Sequence, residues 1–351
     1  MGIDGLFQIP VIQGPMAGGA CTPQLVAAVS HAGALGALPC SLLSPQVIAQ
    51  QVAQIRSLTR SPFMLNFFVQ GKPAPGEAEV SKAVELLRPV WESLGWESLP
   101  LPKQWCEDFE VQFETLLTLR PPAVSFTFGI LESVQVERLH GAGIRVIGTV
   151  TTVAEALAWE AVGADAVVAS GIEAGGHRGT FIGRQEEATL AAAELWPAVV
   201  AAVNIPVIAA GGIMTGADIR RALALGARAV QMGTAFLVTD EAALHPAYKA
   251  RLLSGEGQTR LTRSFSGRYA RGIENRFMRM MEMAEPMVPP YPVQNALTGA
   301  IRAAAAKSGD TELMSMWAGT EFKRARPMPA ADLVTLLANE LATELESELQ
   351  S

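Results

Sequence analysis

Four histidines occur in the 351 residues, so each can be weighed for chemistry. His31 and His140 stand just ahead of Gly33 and Gly141 at helix ends, where a cation suits the helix dipole, and His245 precedes Pro246 in a turn-like stretch. Those three read as structural. His177 differs, because it lies in Ser170-Gly171-Ile172-Glu173-Ala174-Gly175-Gly176-His177-Arg178-Gly179. Glycines let a ligand approach the backbone closely, and an imidazole titrates near neutral pH. Together they suit proton abstraction or substrate contact.

A second constellation suits an anion. Ala209-Ala210-Gly211-Gly212-Ile213-Met214-Thr215-Gly216 runs into a helix near Ala217, and Gln231-Met232-Gly233-Thr234-Ala235 follows a strand-like run. Glycine amides in two such loops, with a helix amino terminus between them, are expected to form a phosphate site. Gly14-Pro15-Met16-Ala17-Gly18-Gly19 reads as a tight wall against which a flat aromatic cofactor can lie. No Gly-x-Gly-x-x-Gly fingerprint follows an early strand, so a Rossmann-type dinucleotide domain is not indicated. Neither a His-x-x-x-His pair nor a cysteine pair is present, and no metal site is expected. Cys21 and Cys40 lack a nearby activating histidine and read as small core residues.

Such loops need strands to carry them. Eight short runs, apolar throughout as in buried parallel strands, occur at Pro10–Gly14, Ala34–Leu38, Phe63–Phe68, Ala123–Phe128, Arg145–Val150, Ala166–Ser170, Val207–Ala210 and Ala229–Thr234. His31-Ala32-Gly33-Ala34, His140-Gly141-Ala142-Gly143, Ala161-Val162-Gly163-Ala164 and Ala224-Leu225-Gly226-Ala227 each sit just before a strand. A glycine after a helix turns the chain sharply into the next strand. The pattern predicts an α/β fold, a (β/α)8 TIM barrel, with a doubly wound open sheet as the competing architecture. In the barrel, both constellations fall at the carboxyl ends of strands.

The barrel is expected over residues 1–240, with a helical insertion after strand three at about 69–122 and a helical C-terminal extension over 241–351 that packs on the barrel. The insertion, with Trp91, Trp96 and Trp105, leaves the functional face and is expected either to shape the pocket and with it substrate choice or merely to pack on the barrel. In the extension, Arg260, Arg263, Arg268, Arg271, Arg276 and Arg279 form a basic run whose ordinary use is pairing with carboxylates, anion binding being the alternative.

Composition narrows the partners. With 27 Lys+Arg against 34 Asp+Glu the net charge is −7, so neither nucleic acid nor an anionic membrane is an expected partner. The uncharged stretch Leu195 to Ala217 is interrupted by Pro197, Asn204, Pro206 and Gly211-Gly212 and does not read as a membrane span. Met1-Gly2-Ile3-Asp4 shows no basic start to a secretory signal, and three unpaired cysteines suit a reduced, cytoplasmic setting.

Taken together, Gln13 to Gly19, Asn66-Phe67-Phe68, Ser125 to Gly129, Gly148-Thr149-Val150, Glu173 to Gly179, Ala210 to Ile213 and Gln231 to Phe236 resemble the nitronate monooxygenases, formerly 2-nitropropane dioxygenases. Arg263 to Phe277 and Trp317-Ala318-Gly319 extend the likeness, although Thr320 stands where the family usually has Gln. The resemblance implies an FMN-dependent barrel that oxidises alkyl nitronates with dioxygen, as a monomer or homodimer. It places cofactor contacts at Asn66, Ser170, Gly175, Gly212, Gln231, Met232, Gly233 and Thr234, and the catalytic histidine at His177. Pro15, Met16, Ala17, Thr149, Gly176 and Gly211 complete the expected cofactor site. An NAD(P)H-dependent flavin reductase and a flavin-binding assembly module are the alternatives.

Overall fold

The computed structural model describes residues 2–349, so residue 1 and residues 350–351, the outer ends of the two expected regions, lie outside the described residues. All eight expected strands form: β1 (Val11–Gln13), β2 (Gly36–Pro39), β3 (Phe63–Phe68), β4 (Ala123–Thr127), β5 (Arg145–Val150) and β6 (Ala166–Ser170), then, after a two-residue β7 (Gly176–His177), β8 (Val207–Ala210) and β9 (Ala229–Met232). The eight barrel strands run parallel in the order β1-β9-β8-β6-β5-β4-β3-β2, and a parallel bridge from Ile12 to Leu35 joins the last to the first. The result is a closed (β/α)8 TIM barrel, not an open sheet.

Alternation along the strands builds two layers of core from uniformly apolar runs. Ile12, Met64, Ile147, Val168 and Ile208 fill the lumen together with Ile3 and Leu6. Their neighbours Val11, Leu65, Val124, Phe126, Val167 and Val230 pack outward among the helices. The repeat glycines Gly33, Gly143, Gly163 and Gly226 take positive φ between 78° and 95°, as the turns into the strands require. The last strand ends at Met232, short of the expected Thr234, because Thr234–Phe236 winds into a 3-10 turn.

Helix Phe109–Leu119 belongs to the barrel, since Phe113 and Leu116 join its core. Only the stretch before it is additional. Its helices Glu77–Leu86 and Arg88–Ser93 bury Leu87, Val90 and Trp91 against Phe277, Met278 and Met281 of the C-terminal segment.

That segment, expected to be helical, also carries a hairpin, β10 (Thr259–Thr262) and β11 (Ala270–Ile273). It adds to β7 as an antiparallel sheet in which Ala270 faces His177 and Arg271 faces Gly176. The basic run expected there places Arg260 on β10 and Arg271 on β11. The final helix, Ala330–Leu349, lays Leu333, Val334, Leu337 and Leu341 on the barrel core. Among the described residues, no helix is long and apolar enough to cross a membrane.

Candidate active site

A cavity of about 760 Å³ opens at the carboxyl ends of the barrel strands. Each expected cofactor residue lines it: Pro15, Met16 and Ala17 after β1, Asn66 on β3, Thr149 on β5, Ser170 at the end of β6, Gly175 just before and Gly176 at the start of β7, Gly211 and Gly212 after β8, and Gln231, Met232, Gly233 and Thr234 at the end of β9. His177 lines it too. The opposite wall comes from the C-terminal segment, through Tyr291, Asn295, Arg302, Trp317, Gly319 and Glu321. None of residues 69–122 lines the cavity, which overturns the expectation that the insertion shapes substrate choice. Its first helices spend their apolar face on the C-terminal segment, which lies between them and the site.

At one end the cavity meets unpaired backbone. The amides of Gly211, Gly212, Gly233 and Thr234 donate no hydrogen bond to any described residue. All four residues are half-buried on the cavity wall, and free amides gathered on adjoining loops suit an anion. Thr234 Oγ1 accepts from the Gly319 amide at 3.0 Å, which leaves its own hydrogen for a ligand. The helix amino terminus expected to help is already taken. In helix Gly216–Ala224, Asp218 Oδ2 accepts from the amides of Met214 and Thr215, and Glu340 Oε2 accepts from the Gly216 amide at 2.8 Å. Two carboxylates occupy the positive end of the dipole, so that terminus is not free for a ligand anion.

Hydroxyl and amide groups line the barrel mouth. Asn66 Nδ2 donates to Ser125 Oγ at 3.0 Å and Thr127 Oγ1 at 3.3 Å, and Thr127 Oγ1 lies 3.2 Å from Thr149 Oγ1. Asn66 Oδ1 keeps no partner among the described residues and is free to accept from a ligand ring. The wall at Met16 is pinned by its amide, which donates to Cys21 Sγ at 3.1 Å. Burial pushes the Cys21 thiol up to about 12 and the Cys40 thiol higher still, so neither is a thiolate nucleophile at neutral pH.

His177 closes the other end. Its Nε2 lies 2.8 Å from Ser266 Oγ, and its ring sits among Trp317, Phe128 and Tyr291 at centroid distances of 5.2, 5.6 and 5.9 Å. Burial, helped by the positive charges of Arg268 and Arg302, pushes the imidazole down to about 3. The ring is therefore neutral at pH 7, a weak base and not a cationic anchor. Phe128 reaches this cage from a left-handed backbone, φ 79°, with the Arg268 guanidinium 4.2 Å from its ring centroid. A bulky residue at positive φ is strained, and such strain gathers at functional sites.

The permanent cation of the cavity is Arg302. Its Nη2 donates to Asn295 O at 2.7 Å and Nε to Thr298 Oγ1 at 3.3 Å, and it forms no ion pair among the described residues. The basic run divides its tasks: Arg260, Arg276 and Arg279 pair with Glu282, Asp310 and Glu312, whereas Arg268 and Arg271 donate to backbone carbonyls of the His177 loop. Sequence reasoning missed Ser266, Tyr291, Asn295 and Arg302. The stretch from Arg263 to Phe277 carried a family signal for Ser266, while no local motif marks Arg302.

Free amides for an anionic group, a polar barrel mouth, a neutral base and a lone guanidinium suit a phosphorylated cofactor with a small anionic substrate. No cluster of three or more metal-ligating side chains occurs among the described residues. A family model described as nitronate monooxygenase matches residues 3–340. A probable nitronate monooxygenase from Staphylococcus aureus (strain Newman) is 38% identical over 337 residues, 95% of each chain. Among solved structures, nitroalkane oxidase from Streptomyces ansochromogenes is 41% identical with a TM-score of 0.89, covering 97% of this chain and 98% of its own. FabK from Thermotoga maritima is 28% identical with a TM-score of 0.76, covering 99% and 98%. By sequence and fold alike, the chain belongs to the nitronate monooxygenase family and is a flavin-dependent oxidoreductase.

Proposed function

We propose that the protein binds FMN and oxidises alkyl nitronates, such as propionate 3-nitronate, with dioxygen to a carbonyl compound and nitrite. Atoms and charge balance at two nitronates and one dioxygen for two carbonyls and two nitrites. The observation that carries the reading is the pairing, in one cavity, of four unpartnered amides with a neutral imidazole and an unpaired guanidinium. The amides of Gly211, Gly212, Gly233 and Thr234 would hold the FMN phosphate, with Pro15, Met16, Ala17, Asn66, Thr149, Ser170, Gly175, Gly176, Gln231 and Met232 around the rest. Bound there, the flavin would supply the electron-transfer chemistry that lets a nitronate react with dioxygen.

The chain's own residues do the remainder. Neutral His177 can take the carbon-bound proton of a nitroalkane, leaving the electron pair on the substrate as its nitronate. Arg302 offers a carboxylate, as in propionate 3-nitronate, a charged partner that the rest of the cavity lacks. Phe128, Tyr291 and Trp317 exclude water around the reacting carbon. A small substrate and dioxygen need no partner protein, and a monomer or homodimer in the cytoplasm fits the three free cysteines.

The test is purification with an absorbance spectrum and identification of the released flavin, then oxygen-electrode assays with propionate 3-nitronate and ethyl nitronate. Oxygen uptake with nitrite release is expected, and its absence with both substrates would reject the reading. The likeness to FabK supports a second reading, an NAD(P)H-dependent flavin reductase acting on an enoyl thioester or quinone. Anaerobic mixing with NADH or NADPH separates them, since rapid bleaching of the bound flavin would mark the reductase.

A further inference from the structure

We propose that Ser266 is a positioning residue that fixes His177 as its Nε2–H tautomer, which makes Nδ1 the atom that meets a ligand's proton. A neutral imidazole carries one hydrogen, and its place is set by the partner of the other nitrogen. Ser266 Oγ has three neighbours: His177 Nε2 at 2.8 Å, the Arg268 carbonyl at 3.0 Å and the Arg268 amide at 3.3 Å. The amide can only donate and the carbonyl can only accept. The single hydroxyl hydrogen therefore goes to the carbonyl, which has no other donor among the described residues. Nε2 must then donate to Oγ, and Nδ1 is left as an acceptor with no donor among the described residues.

The opposite tautomer turns the hydroxyl hydrogen to Nε2 and takes from the Arg268 carbonyl its one donor among the described residues. Ser266 is buried, so its hydroxyl is confined to these three neighbours. The fold holds both partners still. Gly267 takes φ 80° between Ser266 and Arg268, the Arg268 guanidinium donates to the carbonyls of Arg178 and Thr180, and the Arg178 amide returns a bond to Tyr269.

One consequence rests on the proposed function. When a nitroalkane C–H bond breaks, the proton moves to Nδ1, the electron pair stays on the substrate, and the imidazolium still donates from Nε2 to Ser266. No donor has to turn as charge develops.

The experiment is a long-range 1H–15N correlation spectrum of the full-length holoenzyme labelled with 15N-histidine. Only four rings contribute, and H177N removes one set of peaks. At neutral pH His177 is expected to show a protonated Nε2 and an unprotonated Nδ1. S266A is expected to give a mixture of tautomers, and S266T, which keeps the hydroxyl, to restore the single one. An unprotonated Nε2 in the wild type overturns the inference, as does an unchanged tautomer in folded S266A; should S266A fail to fold, the wild-type spectrum decides. Because no turnover is measured, a failed nitronate assay beside the expected spectrum would reject the function and leave this inference standing.

Discussion

The barrel loops and the C-terminal segment meet across one cavity with different materials. Up to Leu244 every lining residue is uncharged at neutral pH, His177 included, and recognition rests on glycine amides, hydroxyls and the Asn66 carboxamide. Beyond it the wall is aromatic and charged, with Tyr291, Trp317, Arg302 and Glu321. The barrel side thus offers backbone geometry, which suits a cofactor that does not change. The C-terminal side offers side chains, which can be exchanged to choose a substrate without disturbing the cradle. His177 sits on the seam, carried by a barrel loop, kept neutral by burial with the help of Arg268 and Arg302, and bonded to Ser266 from the other side.

The strongest test of that division is His177→Asn. Turnover of neutral nitroalkanes should fall by about 10²- to 10⁴-fold, the usual worth of a positioned base, while preformed nitronates lose only a few-fold. Parallel oxygen-uptake assays on the two forms of one substrate measure this. Equal losses would remove proton abstraction from the barrel side.

Acid sensitivity probes the seam itself. The folded imidazole is depressed to about 3 from an ordinary 6.5, so below pH 6.5 the unfolded chain takes up a proton that the folded chain refuses. Stability from this group is complete above pH 6.5 and is lost as pH falls towards 3. The ring borders the cavity, which discounts the effect to about 1–2 kcal/mol at pH 5. Urea titrations of wild type and H177N at pH 7 and pH 5 should show the wild type losing that much more. No difference would mean that neither burial nor the cations across the cavity shift the imidazole.

How far each side could be read in advance follows from the same contrast. The barrel is periodic: apolar runs, helix-ending glycines and glycine-rich loops at strand ends are local, so the fold and the lining residues from Pro15 to Thr234 were legible. What the sequence misled on was competition, since nothing local says that Asp218 and Glu340 claim the helix terminus beside Gly212. On the C-terminal side Arg302 lies in an Ala-rich helix, Gly299–Ser308, and looks like any surface arginine. Only the packing of that helix over the barrel mouth gives it a role. Ser266 likewise acquires its meaning from a residue 89 positions away.

Selection by the C-terminal wall is measured by Arg302→Met, which keeps the bulk of the stem and removes the charge. A hydrogen bond to a charged group is worth about 1.5–3 kcal/mol, roughly 10- to 100-fold. The ratio of kcat/KM for propionate 3-nitronate to that for ethyl nitronate should fall by that factor, with flavin content unchanged. Loss of flavin in R302M would show that the two walls are not separable.

The mildest change reaches the C-terminal wall from behind. Buried Tyr248 donates its hydroxyl to the Trp317 carbonyl at 2.7 Å, a carbonyl with no other donor among the described residues. Tyr248→Phe leaves that carbonyl unpaired at a cost of about 1 kcal/mol, or roughly 2 °C in Tm for a chain of this size. Trp317 lies tilted beside His177 and precedes the Ala318-Gly319 strap that packs on Gly175 and bonds Thr234. If the walls act separately, Y248F shifts KM for nitronates about two-fold through the loosened indole and leaves flavin retention on dialysis as it was. If flavin is lost first, the strap over Gly175 and Thr234 is part of the cradle, and the boundary between cofactor and substrate recognition moves past Trp317 into the C-terminal segment.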